Sequence, residues 1–136
     1  MKIINYIANI LNNLKNFCKT YQKIHEYKLL YSCILNDSKN TETLLKTFNY
    51  EQSFLNLCLE NSTVHGHVDI CKLLIENNAK NINKCLEISS KNNNSSLIEL
   101  FIRKGGDSTI ALTKCKSQNI INLVHKLEEE LNNKEK

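Results

Sequence analysis

Apolar residues recur along this chain at spacings of three and four, with polar residues between them. The clearest stretch is Gly66-His67-Val68-Asp69-Ile70-Cys71-Lys72-Leu73-Leu74-Ile75-Glu76-Asn77-Asn78-Ala79-Lys80. Val68, Cys71, Leu74 and Ile75 share one face if it is helical. Asp69 falls in the first turn, where a carboxylate suits the positive end of the helix dipole. Asn77 and Asn78 can take the left-handed conformation that ends a helix. The same spacing predicts helices elsewhere. Residues 1–24 carry an apolar stripe of Ile3, Ile4, Ile7, Ile10, Leu11, Leu14 and Phe17. Residues 25–36 read as a mostly buried helix, and 36–40 as a polar turn after which Thr41 caps a helix bearing Leu44, Leu45 and Phe48. Further helices are predicted around Phe54 to Leu59, over 83–91, 95–104 and 109–116, and from about Asn119 into the tail. No segment alternates with the period of two that a half-buried strand requires.

The pattern also repeats. At an offset of 27 residues, Cys58-Leu59-Glu60 falls on Cys85-Leu86-Glu87, Leu73-Leu74-Ile75 on Leu100-Phe101-Ile102, and Asn78-Ala79-Lys80 on Gly105-Gly106-Asp107. A shorter copy places Ile120-Ile121-Asn122-Leu123-Val124 on residues 97–101 at an offset of 23, and Leu44-Leu45-Lys46-Thr47-Phe48 matches that block at 53. About four helix pairs result. A single pair cannot bury its own apolar face, whereas stacked pairs build a continuous core.

Residues 66–80 resemble the second helix of an ankyrin repeat: a Gly-His turn, an apolar run holding Lys-Leu-Leu, then an Ala-containing exit. Ile98-Glu99-Leu100-Phe101-Ile102-Arg103-Lys104-Gly105-Gly106-Asp107 looks like its successor. The resemblance covers residues 54–107 clearly and 26–127 weakly. The family's Thr-Pro-Leu-His start is missing, and the period is shorter than the family's roughly 33 residues. The missing residues fall where the family builds its β-hairpin finger. The resemblance therefore implies an all-α, ankyrin-like solenoid of about four stacked antiparallel helix pairs, with little or no hairpin. Residues 1–24 form an N-terminal amphipathic capping helix, 25–127 the degenerate repeats and 128–136 a polar C-terminal tail. Short, Asn-rich arrays of this style resemble those of large DNA viruses and intracellular bacteria.

Composition supports helices joined by short polar turns: 136 residues with no proline and three glycines. The net charge of +4 is mild, and Lys and Glu are interspersed, which disfavours a nucleic-acid footprint. Cys18, Cys33, Cys58, Cys71, Cys85 and Cys115 never form C-x-x-C, and most sit at apolar helical positions. This is the pattern of reduced thiols in an intracellular, cytoplasmic protein. Cys58, His65, His67 and Cys71 carry atoms suited to zinc, yet lack paired-ligand spacing. His25 and His125 stand alone, and no Cys/His pair suggests a nucleophile. No phosphate-binding loop, dinucleotide fingerprint or nucleophile elbow is present. Gly105-Gly106 reads as a helix exit, and Glu128-Glu129-Glu130 as solvated. No catalytic residue, cofactor, metal or small-molecule substrate is expected.

The expected function is that of a non-enzymatic interaction scaffold binding another protein. By the resemblance, contacts fall on exposed first-helix positions and turns: Tyr50, Gln52, Asn56 and Glu60 in one unit, and Lys84, Glu87 and Lys91 in the next. Tyr50 and Phe54 are the aromatic hot-spot candidates. The alternative is a membrane-surface protein anchored by the basic amphipathic helix 1–24, with Lys2, Lys15, Lys19 and Lys23 as its cations. That stretch is too polar to span a bilayer.

Overall fold

The computed structural model describes residues 2–134; Met1, Glu135, Lys136 and the side chain of Lys2 lie outside the described residues. The described chain is all-helical: α1 (Lys2–Ile34), α2 (Ser38–Thr47), α3 (Gln52–Val64), α4 (Val68–Glu76), α5 (Ile82–Lys91), α6 (Ser95–Arg103), α7 (Ser108–Lys114) and α8 (Gln118–Lys134). Consecutive helices pair as α1 with α2, α3 with α4, α5 with α6 and α7 with α8. The odd-numbered helices pack in series as one row, and the even-numbered helices as another.

A single turn chemistry joins the helices within the first three pairs. The left-handed residues are Asn36, Gly66 and Asn93, with φ of 58°, 77° and 53°. Each is followed by a residue whose N–H reaches back to a buried serine carbonyl: Asp37 to Ser32, His67 to Ser62 and Asn94 to Ser89, all at 2.9 Å. These bonds satisfy carbonyls that a helix end would otherwise orphan. The residue that makes the bond then N-caps the next helix. The Asp37 carboxylate accepts from the Asn40 N–H at 3.0 Å, and the Asn94 side-chain oxygen from the Leu97 N–H at 3.1 Å. The exits of α4 and α6 repeat the motif with Asn78 (φ 77°) and Gly105 (φ 90°) in the left-handed position. There Ala79 N–H bonds Leu74 O at 3.0 Å, and Gly106 N–H bonds Phe101 O at 2.9 Å.

The core repeats in step with the turns. Leu29, Leu59 and Leu86 occupy one first-helix position and are fully buried. Thr41, Cys71 and Ile98, then Leu44, Leu74 and Phe101, occupy two second-helix positions and are buried as well. Burying each large aliphatic side chain contributes roughly 1.5–3 kcal/mol, so these layers hold the pairs together. The first layer is partly polar: the hydroxyls of Ser32 and Thr41 meet at 2.9 Å, and Ser32 also donates to Leu29 O.

Four sequence expectations change. The break expected between residues 24 and 25 is absent, because nothing there terminates a helix; α1 runs unbroken through both segments. Its first part does not cap the stack: residues 3–24 are exposed throughout, and burial begins at His25. Thr41 is not an N-cap; it lies inside α2, buried, and Asp37 caps instead. The turns also place Leu44 over Phe101, an offset of 57 in place of 53. A slip of four residues is one helical turn and keeps the same face inward, so apolar spacing alone does not reveal it.

Candidate functional site

Two surfaces gather the chemistry that this fold leaves at its exterior. The first lies along the odd-numbered row and the exit turns, where all seven expected partner-binding residues fall. Asn56 of α3 accepts the Lys80 N–H at 2.8 Å, and Asn83 of α5, one period later, accepts the Asp107 N–H at 2.9 Å. Gln52 donates to Asn78 O at 3.1 Å, as Gln22 of α1 does to Asn49 O at 3.3 Å. First-helix amides thus staple the exit turns. Asn81 ties α3 to α5 by donating to Glu60 at 2.6 Å and to Asn56 O at 3.2 Å.

An ion-pair ladder runs on from these staples. Lys84 meets Glu60 at 2.7 Å, and Glu87 meets Lys91 at 2.6 Å and Lys114 at 3.6 Å. Glu60 and Glu87 are equivalent positions, so the ladder repeats with the helix pairs. The Glu87 carboxyl is held below its ordinary range, first by the Lys91 hydrogen bond and charge and then by Lys114. Lys84 is raised by its bond to Glu60. Such solvent-screened pairs contribute little to stability, and leave the row charged and wet.

Tyr50 and Phe54 do not form an exposed hot spot. Both are half-buried and their rings stack at 6.0 Å, while the Tyr50 hydroxyl lies 3.4 Å from His25 O. Loss of solvent, with the neighbouring Cys58 and Cys33 thiols adding, pushes the Tyr50 phenol up to about 12. Tyr50 and Gln52 line a groove of about 310 Å³ together with Leu45, Phe48, Asn49, Leu55, Asn77 and Asn78, between the exits of α2 and α4.

The second surface is α1. Its exposed stripe was legible, but its length was not: Tyr27 and Tyr31, within the segment expected to be mostly buried, are exposed, as are Tyr21 and Ile24 before it. Where α1 enters the stack, His25 stacks on Phe48 at 3.6 Å and meets Tyr21 edge-on at 4.4 Å. Both ring nitrogens of His25 are buried without a partner.

Interior chemistry is muted. Cys33, Cys58, Cys71, Cys85 and Cys115 are buried, and Cys18 is exposed. Burial pushes the Cys71 thiol up to about 12 and the Cys85 thiol up to about 11. The Cys58 thiol is raised first by its hydrogen-bonding neighbour Cys33 and then by burial. The Cys58, Cys71 and Cys85 thiols stay protonated at neutral pH and are poor nucleophiles. His65 is exposed beside His67, whose Nδ1 lies 2.9 Å from Cys33 O in the preceding pair. Among the described residues, no group of three or more His, Cys, Asp or Glu could hold a metal ion, and no helix is long and apolar enough to cross a membrane.

No family model, curated protein or solved structure matches the chain. The functional reading therefore rests on geometry.

Proposed function

We propose that the chain is a non-enzymatic protein-interaction scaffold, an ankyrin-like solenoid of four stacked helix pairs without hairpin fingers. One observation carries this reading: the same turn, cap and core positions recur from pair to pair, and the odd-numbered helices line up as one row. Stacked repeats of this kind present an extended surface in which each unit contributes equivalent positions. The row here exposes Gln52, Lys84 and Lys91, with the Tyr50 groove at its exit-turn edge. A partner with alternating charge could exchange its own groups for the exposed ladder at little cost, since solvent screening keeps each internal pair weak. Six free thiols and no disulfide suit a reducing intracellular compartment.

The test uses the full chain as an affinity ligand. A partner isolated on the wild-type protein should bind a Gln52→Ala/Lys84→Ala/Lys91→Ala variant at least tenfold more weakly, because none of the three side chains is buried. The thermal midpoint should move by no more than a few degrees. Undiminished binding would place recognition elsewhere.

A further inference from the structure

The exposed stripe on α1 follows a stricter rule than amphipathicity. Ile3, Ile7, Ile10, Leu14, Phe17, Tyr21 and Ile24 are spaced alternately by four and three, and the rule continues through Lys28, Tyr31 and Leu35. This is a heptad seam with a period of 3.5. The positions most remote from it, such as Asn5, Asn12, Lys15, Lys19 and Lys23, are polar. On a straight helix, a 3.5-residue seam drifts by about 20° per heptad, hence by about 80° from Ile3 to Tyr31. A flat lipid surface meets a seam that winds away from it; a second helix that supercoils follows it. The seven apolar residues from Ile3 to Ile24 are between 42% and 74% exposed; Tyr21 leans on His25 and Phe48, and the described residues leave the seam otherwise open.

We propose that this seam pairs with the same seam of a second copy of the chain, as an antiparallel two-helix contact. Orientation follows from size and charge. A parallel pair would set Phe17 on Phe17, Tyr21 on Tyr21 and the Lys28 ammonium on its twin. In the antiparallel register the two aromatic residues each face a slender isoleucine. Ile3 lies opposite Tyr21, Ile7 opposite Phe17 and Ile10 opposite Leu14, with Leu11 meeting its own copy beside the dyad. The overlap uses about 33 Å of helix and ends before His25, where α1 joins the stack, so the two stacks sit at opposite ends. With roughly 65 Å² covered on each of about nine large side chains per copy, the total approaches 1,200 Å², at the lower edge of the range of stable specific interfaces. The contact is isologous and closes on itself.

Light scattering coupled to size exclusion on the full chain should give twice the monomer mass of 15.7 kDa. Ile10→Glu/Leu14→Glu places four carboxylates at the centre of the contact and should return the chain to monomer. Its urea midpoint should be unchanged when both proteins are compared below the dissociation concentration, because neither residue touches the stack. In a Cys18→Ser background, Leu11→Cys should oxidise to a disulfide-linked dimer, which a parallel pair cannot form because its equivalent flanking positions lie on opposite sides. A monomer mass at high micromolar concentration overturns the proposal, as does a dimer that survives the double substitution. Flotation of a monomeric chain with phosphatidylserine-containing vesicles would assign the seam to a lipid surface.

Discussion

Gly66→Ala tests whether the turns are the repeating joint of this fold. Gly66 holds φ at +77°. A side chain in that left-handed region costs about 1–2 kcal/mol, of which about 0.4–1 kcal/mol returns because alanine restricts the unfolded chain. The new Cβ would also stand 3.2 Å from Asn94 Nδ2 of the next unit's turn. That amide is not free to swing aside, since its oxygen caps α6 through the Leu97 N–H; loosening such a cap costs about 1 kcal/mol. The expected loss is therefore about 1–2 kcal/mol, or a fall in Tm of several degrees for a domain of this size. Asn93→Gly is the control. It makes the equivalent turn permissive where φ is 53°, and should move stability by no more than about 0.5 kcal/mol. Urea unfolding followed by far-ultraviolet circular dichroism measures both. If Gly66→Ala matches wild type, or Asn93→Gly is the more damaged of the two, the equivalence of the turns is wrong.

Asn56→Ala and Asn83→Ala each remove one amide staple and should each cost about 1 kcal/mol, adding nearly independently in the double variant by equilibrium unfolding. In the native protein a thiol reagent at pH 8 should modify Cys18 quickly and the other five cysteines only after unfolding; a second fast thiol would contradict the burial. Glu87, Asp107, Glu128 and Glu130 are all held below their ordinary range, by Lys91, Thr109, Ser108 and Arg103 respectively. Depressed folded values mean that their contribution is present above the unfolded values near 4 and is lost as pH falls through the folded ones. An acid titration should show this loss shrinking in high salt and in Glu87→Gln/Glu130→Gln. At the other end, raised thiols at Cys71 and Cys85 mean stability that is lost as pH climbs from their unfolded value of 9.0 towards 11 and 12. Removing both thiols by Cys71→Ala/Cys85→Ala should flatten that alkaline limb of a pH–stability curve.

The second-helix segments were legible because Ile70, Cys71 and Leu74, and their copies Leu97, Ile98 and Phe101, alternate cleanly with charge at the helical period. The 27-residue period was legible too, since the Asn78 and Gly105 exits mark it. Spacing failed where two states of one helix share a composition. Tyr27 and Tyr31 look like core beside Leu29 and Cys33 until it is known that α1 turns only one face to the stack. The expected contact residues fall on the odd-numbered row and its exit turns, yet Asn56 and Glu60 hold neighbouring elements together. No pattern in one sequence says whether a polar group faces a partner or its own backbone. Ser32, Ser62 and Ser89 carried a signal that could have fixed the register upstream: each lies four residues before the left-handed residue of its turn.

Those turns have a consequence for how such a chain can change over time. A cut after Asn36, Gly66 or Asn93 meets the same joint on either side: a serine carbonyl behind, a capping residue ahead and a buried leucine below. Duplication or loss of the segment between two joints would rejoin like with like. The length of the stack is therefore a free variable of this architecture, and whole units can be gained or shed without inventing a new connection.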